Sequence, residues 1–326
     1  MKLTVLTEAD LRACVTLDRD ALDAVADGFR KLGSGDVTQP PIMRVDVPDH
    51  HGEVDIKSAY IRGVDSFAVK LSSGFFENYK RGLPSASGLM ILLSAETGVP
   101  QALLLDNGYL TDVRTGLAGA IAADTLAKKD VDTVGVIGCG AQARYQLRAL
   151  RLVRDFSRVL VYGRQPDRVR AYADEMGEVL GVSVEPQDAE TVVRRSDVVV
   201  TTTPATEPVV KADWLHPGLH ITALGSDAEH KQELEAEVMA RATHIICDSR
   251  AQCERLGELR SVYAAGLFAE VGVVYELGAV LGTSVRQHDD DITVCDLTGT
   301  GVQDTAIARF AFGRARERGL GMTIDA

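Results

Sequence analysis

Apolar and polar positions along the chain follow two different patterns, and the change falls near residue 115. From residue 131 onward, short apolar runs alternate with stretches in which apolar residues recur at helical spacing. The pattern predicts helices over residues 141–153, 166–180 and 188–195, and strands at "TVGVIG", "RVLVYG", "VSVEP", "DVVVTTT", "HITALG", "HIICD" and "ITVCDL". Pro166 in a first turn and Gly181 after a last turn are typical helix boundaries. This alternation predicts a parallel sheet with helices on both faces.

The first part of the chain has a different pattern, in which apolar runs are separated by turns with no long helix between them. The runs are "IMRVDVP", "EVDIKSAYI", "SFAVKLSSG", "GLMILLS" and "QALLLD". We expect them to form an antiparallel meander. The segment "TDVRTGLAGAIAADTLAK", residues 111–128, is rich in small residues and is predicted to be a helix that crosses from one domain to the next.

Length, composition and charge indicate which kinds of ligand or binding partner the protein has. A length of 326 residues with 45% hydrophobic residues favours two domains over one. A formal charge of −12 argues against a nucleic-acid or anionic-membrane surface, because both bind net basic faces. No apolar run is long enough to span a membrane, and Glu8, Asp10 and Arg12 interrupt the N-terminal run before a signal-peptide core forms. We therefore expect a cytoplasmic protein with a small-molecule ligand.

The five cysteines predict reduced thiols rather than a metal centre. Only Cys247 and Cys253 are near each other, and no paired metal-type spacing occurs. No metal site is predicted.

A dinucleotide fingerprint lies near the middle of the chain. Gly138, Gly140 and Ala143 are spaced as G-x-G-x-x-A between a predicted strand and a predicted helix. The first glycine permits the tight turn, and the second lets the backbone approach a pyrophosphate at the helix N-terminus. Because strand, turn and helix occur in the required order, a dinucleotide site is favoured over a purely structural turn.

The end of the next strand bears on the choice of cofactor. NAD-specific sites usually place an acidic residue there to hold the ribose 2′-hydroxyl. This chain has Gly163 and Arg164 instead, which leaves room for a 2′-phosphate, yet no Ser or Thr follows directly and Arg164 also suits stacking on adenine. NAD(H) is taken as the cofactor, and the sequence leaves NADP(H) open.

Four cations in the first part of the chain are candidates for anion binding: Arg44, Lys57, Lys70 and Arg114. Arg44 and Lys70 lie inside predicted strands. The alternative is that such cations are solvated or paired with Glu53, Asp55 or Asp65. Strand alternation places Lys57 on the same face as Glu53 and Asp55, so that face is polar whatever its use.

Several motifs together resemble the ornithine cyclodeaminase/mu-crystallin family over nearly the whole chain. They are "KLSSGFFENYKRGLPSASGLMILLSAETGVPQALLLDNGYLTDVRTGLAGAIAA", "GCGAQA", "LGSDAEHKQEL" and "GTGVQD", in the family's order. The resemblance implies a Rossmann-type, doubly wound parallel sheet domain inserted in an α+β domain for substrate binding and dimerisation. The expected division is residues 1–114 plus 305–326 for the substrate domain and 115–304 for the nucleotide domain, in a homodimer.

The resemblance also implies roles for individual residues. Arg44, Lys70 and Arg114 match the family's clamp on the substrate carboxylate, a task that suits arginine geometrically. Asp227 matches the catalytic aspartate, with an N-cap role before "AEHKQEL" as the alternative or additional reading, and Lys70 is a candidate proton donor. Asp304 is expected to hold the helix that follows. The residues expected to contact the cofactor are Gly138, Gly140, Ala141, Gln142, Arg164, Thr202, Thr203, Gly299, Thr300 and Gly301.

Lys57 departs from the cyclodeaminase pattern, in which the strand facing the diamine chain is apolar at about this position. A cation there repels the distal ammonium of ornithine and attracts a second carboxylate. The stretch "SSGFFENYKRGLPS" further resembles a branch associated with ectoine utilisation and with reduction of iminosuccinate to aspartate. The resulting hypothesis is a nicotinamide-dependent imine reductase acting on iminosuccinate. Its alternatives are ornithine cyclodeamination, another ketimine reductase or amino-acid dehydrogenase activity, and mu-crystallin-like binding of NADPH and a ligand without turnover.

Overall fold

The structure is a computed structural model that describes residues 2–75 and 77–325. The strands are β1 (Lys2–Thr7), β2 (Val37–Thr38), β3 (Met43–Val47), β4 (Gly52–Ile61), β5 (Ser66–Phe75), β6 (Ala86–Ser94), β7 (Pro100–Leu105), β8 (Thr133–Ile137), β9 (Arg158–Tyr162), β10 (Ser183–Pro186), β11 (Val198–Thr201), β12 (His220–Ala223), β13 (His244–Cys247), β14 (Val274–Glu276), β15 (Thr293–Asp296) and β16 (Met322–Asp325). The α-helices are α1 (Glu8–Cys14), α2 (Arg19–Gly33), α3 (Tyr109–Leu126), α4 (Ala141–Leu150), α5 (Pro166–Leu180), α6 (Ala189–Arg194), α7 (Ala236–Arg241), α8 (Arg250–Cys253), α9 (Leu259–Ala264), α10 (Leu277–Val280) and α11 (Gly301–Glu317). No helix in the described part of the chain combines the length and apolarity needed to cross a membrane.

The described chain forms two compact units. One contains the residues up to Arg114 together with those from Thr300 onward, and the other is Thr115–Gly299. The first boundary lies within α3. The second lies before residues 300–304, which the sequence analysis assigned to the nucleotide domain. These residues belong to the first unit because α11 begins at Gly301, and the backbone there approaches Ser58 of β4 so closely that a Cβ on Gly301 would lie 2.4 Å from the Ser58 carbonyl oxygen.

The first unit is built on a sheet with the strand order β16-β1-β7-β6-β5-β4-β2, in which β3 also pairs with β4. Strands β3 to β7 pair antiparallel with one another, as predicted, whereas β7 pairs parallel with β1. The sequence pattern did not predict β1, α1 or α2, nor β16, which pairs with β1. Helix α2 begins at the N-cap Asp18, whose carboxylate accepts the Ala21 N–H at 2.9 Å, and its buried side includes Leu22, Val25 and Phe29.

The second unit is a parallel sheet with the order β10-β9-β8-β11-β12-β15-β13-β14. The predicted Rossmann-type α/β fold is therefore confirmed. Helix α5 has the predicted bounds, with Gly181 in the left-handed conformation (φ 67°) at its C-terminal cap. Helix α4 ends at Leu150, earlier than predicted, because residues 151–153 form a turn, and the short strand β14 was not predicted.

Candidate functional site

Two lysines face each other across the central strands of the first unit. Lys57 of β4 lies directly opposite Lys70 of β5, and both side chains are buried. Alternation places them on the face that also carries Ala59 and Ala68. Helix α11 packs on that face, where Thr305 Oγ1 accepts the Ala68 N–H at 3.0 Å and donates to the Ala59 carbonyl oxygen at 2.7 Å. Strand pairing therefore places Lys57 and Lys70 side by side on the face of the sheet that α11 covers.

Asp304, in the first turn of α11, is the carboxylate that Lys70 shares with Arg114. Lys70 Nζ lies 3.0 Å from Asp304 Oδ1, and Arg114 Nε lies 3.0 Å from the same oxygen. The Lys70 and Asp304 side chains are 2% and 0% exposed. Arg114 also donates from Nη1 to Gln303 Oε1 at 2.8 Å. The first turn of α11 is thus joined to β5 and α3 through a buried ionic cluster.

Burial and charge shift the protonation of this cluster. Burial, followed by the repulsion of Arg114 and Lys57, lowers the pKa of Lys70 to about 7, against the opposing attraction of Asp304. Burial raises the pKa of Asp304, but the charges of Lys70, Arg114 and Lys57 outweigh it and hold that pKa below its usual value. Asp304 is therefore an anion, and Lys70 changes charge near neutral pH.

Arg44 lies on the same face but is engaged by carboxylates. It pairs in register with Asp55, two residues before Lys57 on β4. Its Nε donates to Asp46 at 2.8 Å, its Nη2 donates to Glu53, and its Nη1 lies 3.8 Å from Asp55. These are the pairings that the sequence analysis gave as the alternative to anion binding, and substrate has to compete with them for the guanidinium.

In the second unit, the fingerprint turn has the backbone that a dinucleotide site needs. Gly138 has φ 113°, and a Cβ there would lie 2.6 Å from Thr202 Oγ1. Gly140 is the N-cap of α4, and a Cβ on it would meet no described atom within 4 Å. The glycines thus leave open space before a helix N-terminus that carries Ala141 and Gln142 in its first turn, which suits a pyrophosphate.

Other residues predicted to contact the cofactor follow the ends of neighbouring strands at the same edge of the sheet. Thr202 and Thr203 directly follow β11, and the Thr202 N–H donates to the Ile137 carbonyl oxygen at 2.9 Å. Arg164 is exposed, one residue beyond Gly163 at the end of β9. Strand ends in a parallel sheet meet at one edge, so the sequence order brings these residues to the end of the sheet where nucleotides bind.

Asp227 follows β12 and is half-exposed, with Oδ1 2.6 Å from Lys231 Nζ. The predicted N-cap role before "AEHKQEL" is wrong. That segment is a turn in which the Lys231 N–H donates to the Ala228 carbonyl oxygen, and the next helix, α7, begins only at Ala236. The carboxylate of Asp227 is therefore held by a lysine in a loop.

The sequence analysis missed two buried carboxylates that fix loops at this edge. Glu233 accepts from Thr201 Oγ1 at 2.6 Å, from the Thr203 N–H at 2.5 Å and from the Gly225 N–H at 2.7 Å, so it joins the ends of β11 and β12. Asp248 Oδ2 accepts the N–H groups of Thr298 and Gly299 at 2.9 and 2.7 Å. The position of Asp248 after the apolar run "HIICD" was the available signal, whereas Glu233 comes from a loop without periodicity.

Thr300 and Gly301 begin the first unit's α11. Thr300 is its N-cap, buried, and its Oγ1 has no hydrogen-bond partner among the residues that the structure describes. Gly301 is required for the close approach to Ser58, whatever its role toward a cofactor.

One group of side chains has the composition of a metal site. Ligand atoms of Cys247, Cys253 and Asp296 lie within 4.8 Å of one another, and all three residues are buried. Burial raises the pKa of Cys253 well above its usual value and that of Asp296 to about 7. The Cys253 thiol donates to the Asp296 carbonyl oxygen at 3.4 Å. A metal ion here has to displace protons from buried groups whose raised pKa values favour the protonated form. We assign no metal ion to them.

Comparison with known proteins links both units to one group of enzymes. The model of the "Ornithine cyclodeaminase/mu-crystallin family" matches residues 1–319. A putative dehydrogenase of Rhizobium meliloti is 50% identical over 327 residues, 99% of each chain. The alanine dehydrogenase of Archaeoglobus fulgidus is 36% identical over 99% of this chain and 98% of its own. An archaeal alanine dehydrogenase, solved as a dimer with bound NAD, superposes with a TM-score of 0.91 at 34% identity, covering 100% of this chain and 99% of its own.

A third relative is the iminosuccinate reductase of Paracoccus denitrificans, 30% identical over 99% of this chain and 100% of its own. Its crystal structure in complex with NAD+ superposes with a TM-score of 0.90 at 27% identity and covers 100% of both chains.

Proposed function

The chain belongs to the ornithine cyclodeaminase/mu-crystallin family, and from that premise we propose that it is an NAD(H)-dependent reductase of a small imino acid with two carboxylates, which converts iminosuccinate to L-aspartate. The reaction class, an oxidoreductase acting on imino or amino acids, agrees with the alanine dehydrogenase and iminosuccinate reductase relatives. The proposal that the substrate has a second carboxylate is based on the side chains of the first unit.

The observation that carries the proposal is the charge balance around Asp304. Lys57, Lys70 and Arg114 all act on this one carboxylate. Asp106 is a further buried acid near Lys70, but its Oδ2 accepts the Leu110 N–H at 2.9 Å and burial raises its pKa. A site with several buried cations favours an anionic ligand and disfavours a cationic one. A substrate with two carboxylates supplies two negative charges, whereas a diamine such as ornithine brings another cation.

The candidate site residues then have the following roles in the reaction. Arg114 and Lys70 bind the carboxylate next to the imine carbon, Arg44 joins them when it exchanges its acidic partners for substrate, and Lys57 binds the distal carboxylate. Asp227 stabilises the iminium, which accepts hydride better than the neutral imine. Lys70, with its lowered pKa, is suited to deliver the proton that converts imine to iminium.

The second unit fits a nicotinamide dinucleotide. The turn at Gly138 and the open space at Gly140 suit the pyrophosphate. Other candidates at or near this edge of the sheet are Ala141, Gln142, Thr202, Thr203 and Gly299. The next residues in the chain are Thr300 and Gly301. The bound nicotinamide supplies the hydride. Arg164, exposed at the end of β9, is placed by sequence to stack on adenine or to contact a 2′-phosphate. NAD is the cofactor of the solved relatives, and we propose it here.

Oxidation of NADH and of NADPH in the presence of ammonium and a panel of 2-oxo acids tests this function. We expect turnover with NADH and the highest kcat/KM with oxaloacetate. A preference for pyruvate would instead favour the alanine dehydrogenase activity of the relative from Archaeoglobus fulgidus. Ammonia release from ornithine without net change in NADH would indicate cyclodeamination, and ligand binding without turnover on any imino acid would indicate a mu-crystallin-like role.

The activity should depend on pH through Lys70. Its pKa is lowered to about 7, so it is protonated below that pH and neutral above it. If Lys70 is the proton donor, kcat/KM should fall by about tenfold per pH unit above the pKa of Lys70, because the neutral amine has no proton to deliver. Lys70→Arg is the control, since arginine stays protonated and the equilibrium between ammonia and the oxo acid is the same for both proteins. An identical decline in wild type and variant would exclude Lys70 as the titrating group.

We also propose a homodimer, formed through the sheet face opposite the lysines. Val69, Ile91 and Leu103 lie side by side across β5, β6 and β7 on that face and are only half-buried. Met43 and Val45 extend it and are 59% and 46% exposed. A contiguous apolar sheet face of this kind is typical of a subunit interface, and the archaeal alanine dehydrogenase was solved as a dimer.

Ile91→Glu tests the homodimer, because a buried charge at the centre of the face should prevent association. We expect light scattering to report a dimer for the wild type and a monomer for Ile91→Glu. Val179→Glu is the matched control, since Val179 is an apolar residue on α5 of the second unit and is 54% exposed. A wild type that is monomeric, or a variant that remains dimeric, would rule out this interface.

A further inference from the structure

Gln303 is a fully buried amide in the first turn of α11 for which the sequence analysis gave no role. Its Oε1 accepts from Arg114 Nη1 at 2.8 Å. A guanidinium has donors and no acceptor, so the carbonyl oxygen of the amide must face Arg114. The NH₂ group is therefore the end of the amide that is directed away from that hydrogen bond.

The amide nitrogen has no protein partner of its own. Gln303 Nε2 is buried and has no hydrogen-bond partner within residues 2–75 and 77–325. Buried donors are almost always hydrogen-bonded, and an unmet one is costly. An acceptor supplied by a ligand removes that cost.

The surroundings of Gln303 determine which acceptor is favoured. The next residue, Asp304, is in contact with Lys70 and Arg114, so cationic groups predominate here. Thr300 Oγ1, at the N-cap of the same helix, is a second buried polar atom without a described partner. The N-terminus of a long helix adds partial positive charge. An anionic oxygen is the acceptor that these features favour together.

We propose that Gln303 is a substrate-binding residue, whose amide N–H donates to the carboxylate of the imino acid that Arg114 binds. Gln303 thereby holds Arg114 through its oxygen and the substrate through its nitrogen, so that one side chain fixes the geometry of the clamp. This assignment rests on the proposed function, because it takes the ligand of the first unit to be a carboxylate.

Gln303→Glu separates the two halves of this amide. Glutamate keeps the length of the side chain and an oxygen for Arg114, but it replaces the N–H donors with an acceptor that repels a carboxylate. We expect KM for oxaloacetate with ammonium to rise by about tenfold or more, with NADH affinity unchanged. Thermal stabilisation by L-aspartate, the reaction product, should be lost in the same variant.

Gln39→Glu is the matched control. Gln39 Oε1 accepts the Val302 N–H at 3.2 Å, so this glutamine also holds the first turn of α11 by its oxygen. The same change there should leave KM and stabilisation by L-aspartate near the wild-type values. If Gln303→Glu fails to fold, Gln303→Leu removes the donors without adding charge and should show the same loss of L-aspartate binding.

The outcomes distinguish this inference from the proposed function. Normal KM and normal stabilisation by L-aspartate in Gln303→Glu would overturn the assignment of Gln303 and leave the function intact. Stabilisation of the wild type by L-aspartate without turnover would refute the function, and the loss of that stabilisation in Gln303→Glu but not in Gln39→Glu would still support the assignment. A wild type that is neither stabilised by L-aspartate nor active on any 2-oxo acid with ammonium would overturn both.

Discussion

Arg114→Ala should lower kcat/KM for oxaloacetate with ammonium by about a hundred- to a thousandfold, the loss expected when a buried charge-assisted contact to the reacting molecule is removed. NADH affinity should stay nearly unchanged, because Arg114 belongs to the first unit and the dinucleotide turn to the second. Steady-state kinetics with a separate NADH titration measure the two effects. We expect the largest loss here because Arg114 contacts both Asp304 and Gln303.

A loss of stability has to be separated from a loss of substrate binding. Removing Arg114 leaves Asp304 buried with one fewer cation, which is destabilising. Arg114→Lys keeps the charge but not the paired donors, so it should fold like the wild type and still lose most of the activity. A normal kcat/KM in a folded Arg114→Ala protein would remove Arg114 from the site.

Lys57→Met should separate dicarboxylates from monocarboxylates. If Lys57 binds the distal carboxylate, kcat/KM for oxaloacetate with ammonium should fall by roughly ten- to a hundredfold, equivalent to about 1.4–2.8 kcal/mol. Pyruvate has no second carboxylate, so its kcat/KM should fall much less. Methionine has a similar length but lacks the ammonium group. Without the repulsion from Lys57, the pKa of Lys70 should also rise.

The comparison of the two substrates decides the role of Lys57. Equal losses would indicate that Lys57 is structural and would end its assignment to the second carboxylate. Lys31→Met is a suitable control, because Lys31 is exposed near the end of α2 and carries the same charge. Its kinetics on both substrates should match the wild type.

Local patterns were sufficient to predict most strands of the parallel sheet in the second unit. Apolar strands such as β8 and β11 are buried on both faces and read as continuous runs, and α5 is bounded by Pro166 and Gly181. In contrast, α2 was missed although Leu22, Val25 and Phe29 recur at helical spacing on its buried side, and β16 consists of exposed residues without alternating burial. The helix expected over "AEHKQEL" does not form, because this segment turns so that Glu233 hydrogen-bonds to residues at the ends of β11 and β12.

In the candidate site, the sequence identified individual residues but not the contacts between them. Sequence and resemblance identified Lys57, Lys70 and Arg114 separately, but not that Lys57 lies directly opposite Lys70, since cross-strand register depends on the turn between them. They also did not identify Asp304 as the shared carboxylate, because its partners are far away in sequence. Such contacts depend on tertiary packing of α11 on the sheet.

Product labelling tests most directly whether hydride is delivered to the imine carbon of a dicarboxylate. The enzyme is incubated with oxaloacetate, isotopically labelled ammonium and NADH deuterated at the transferable position, each C4 stereoisomer in turn, and the products are identified by mass spectrometry and NMR. We predict L-aspartate that carries the labelled nitrogen, with deuterium on its α-carbon from one of the two NADH stereoisomers. Deuterated malate would show reduction of the ketone, and deuterated alanine as the main product, from oxaloacetate that has decarboxylated to pyruvate, would show a monocarboxylate substrate. Either result would contradict that reaction.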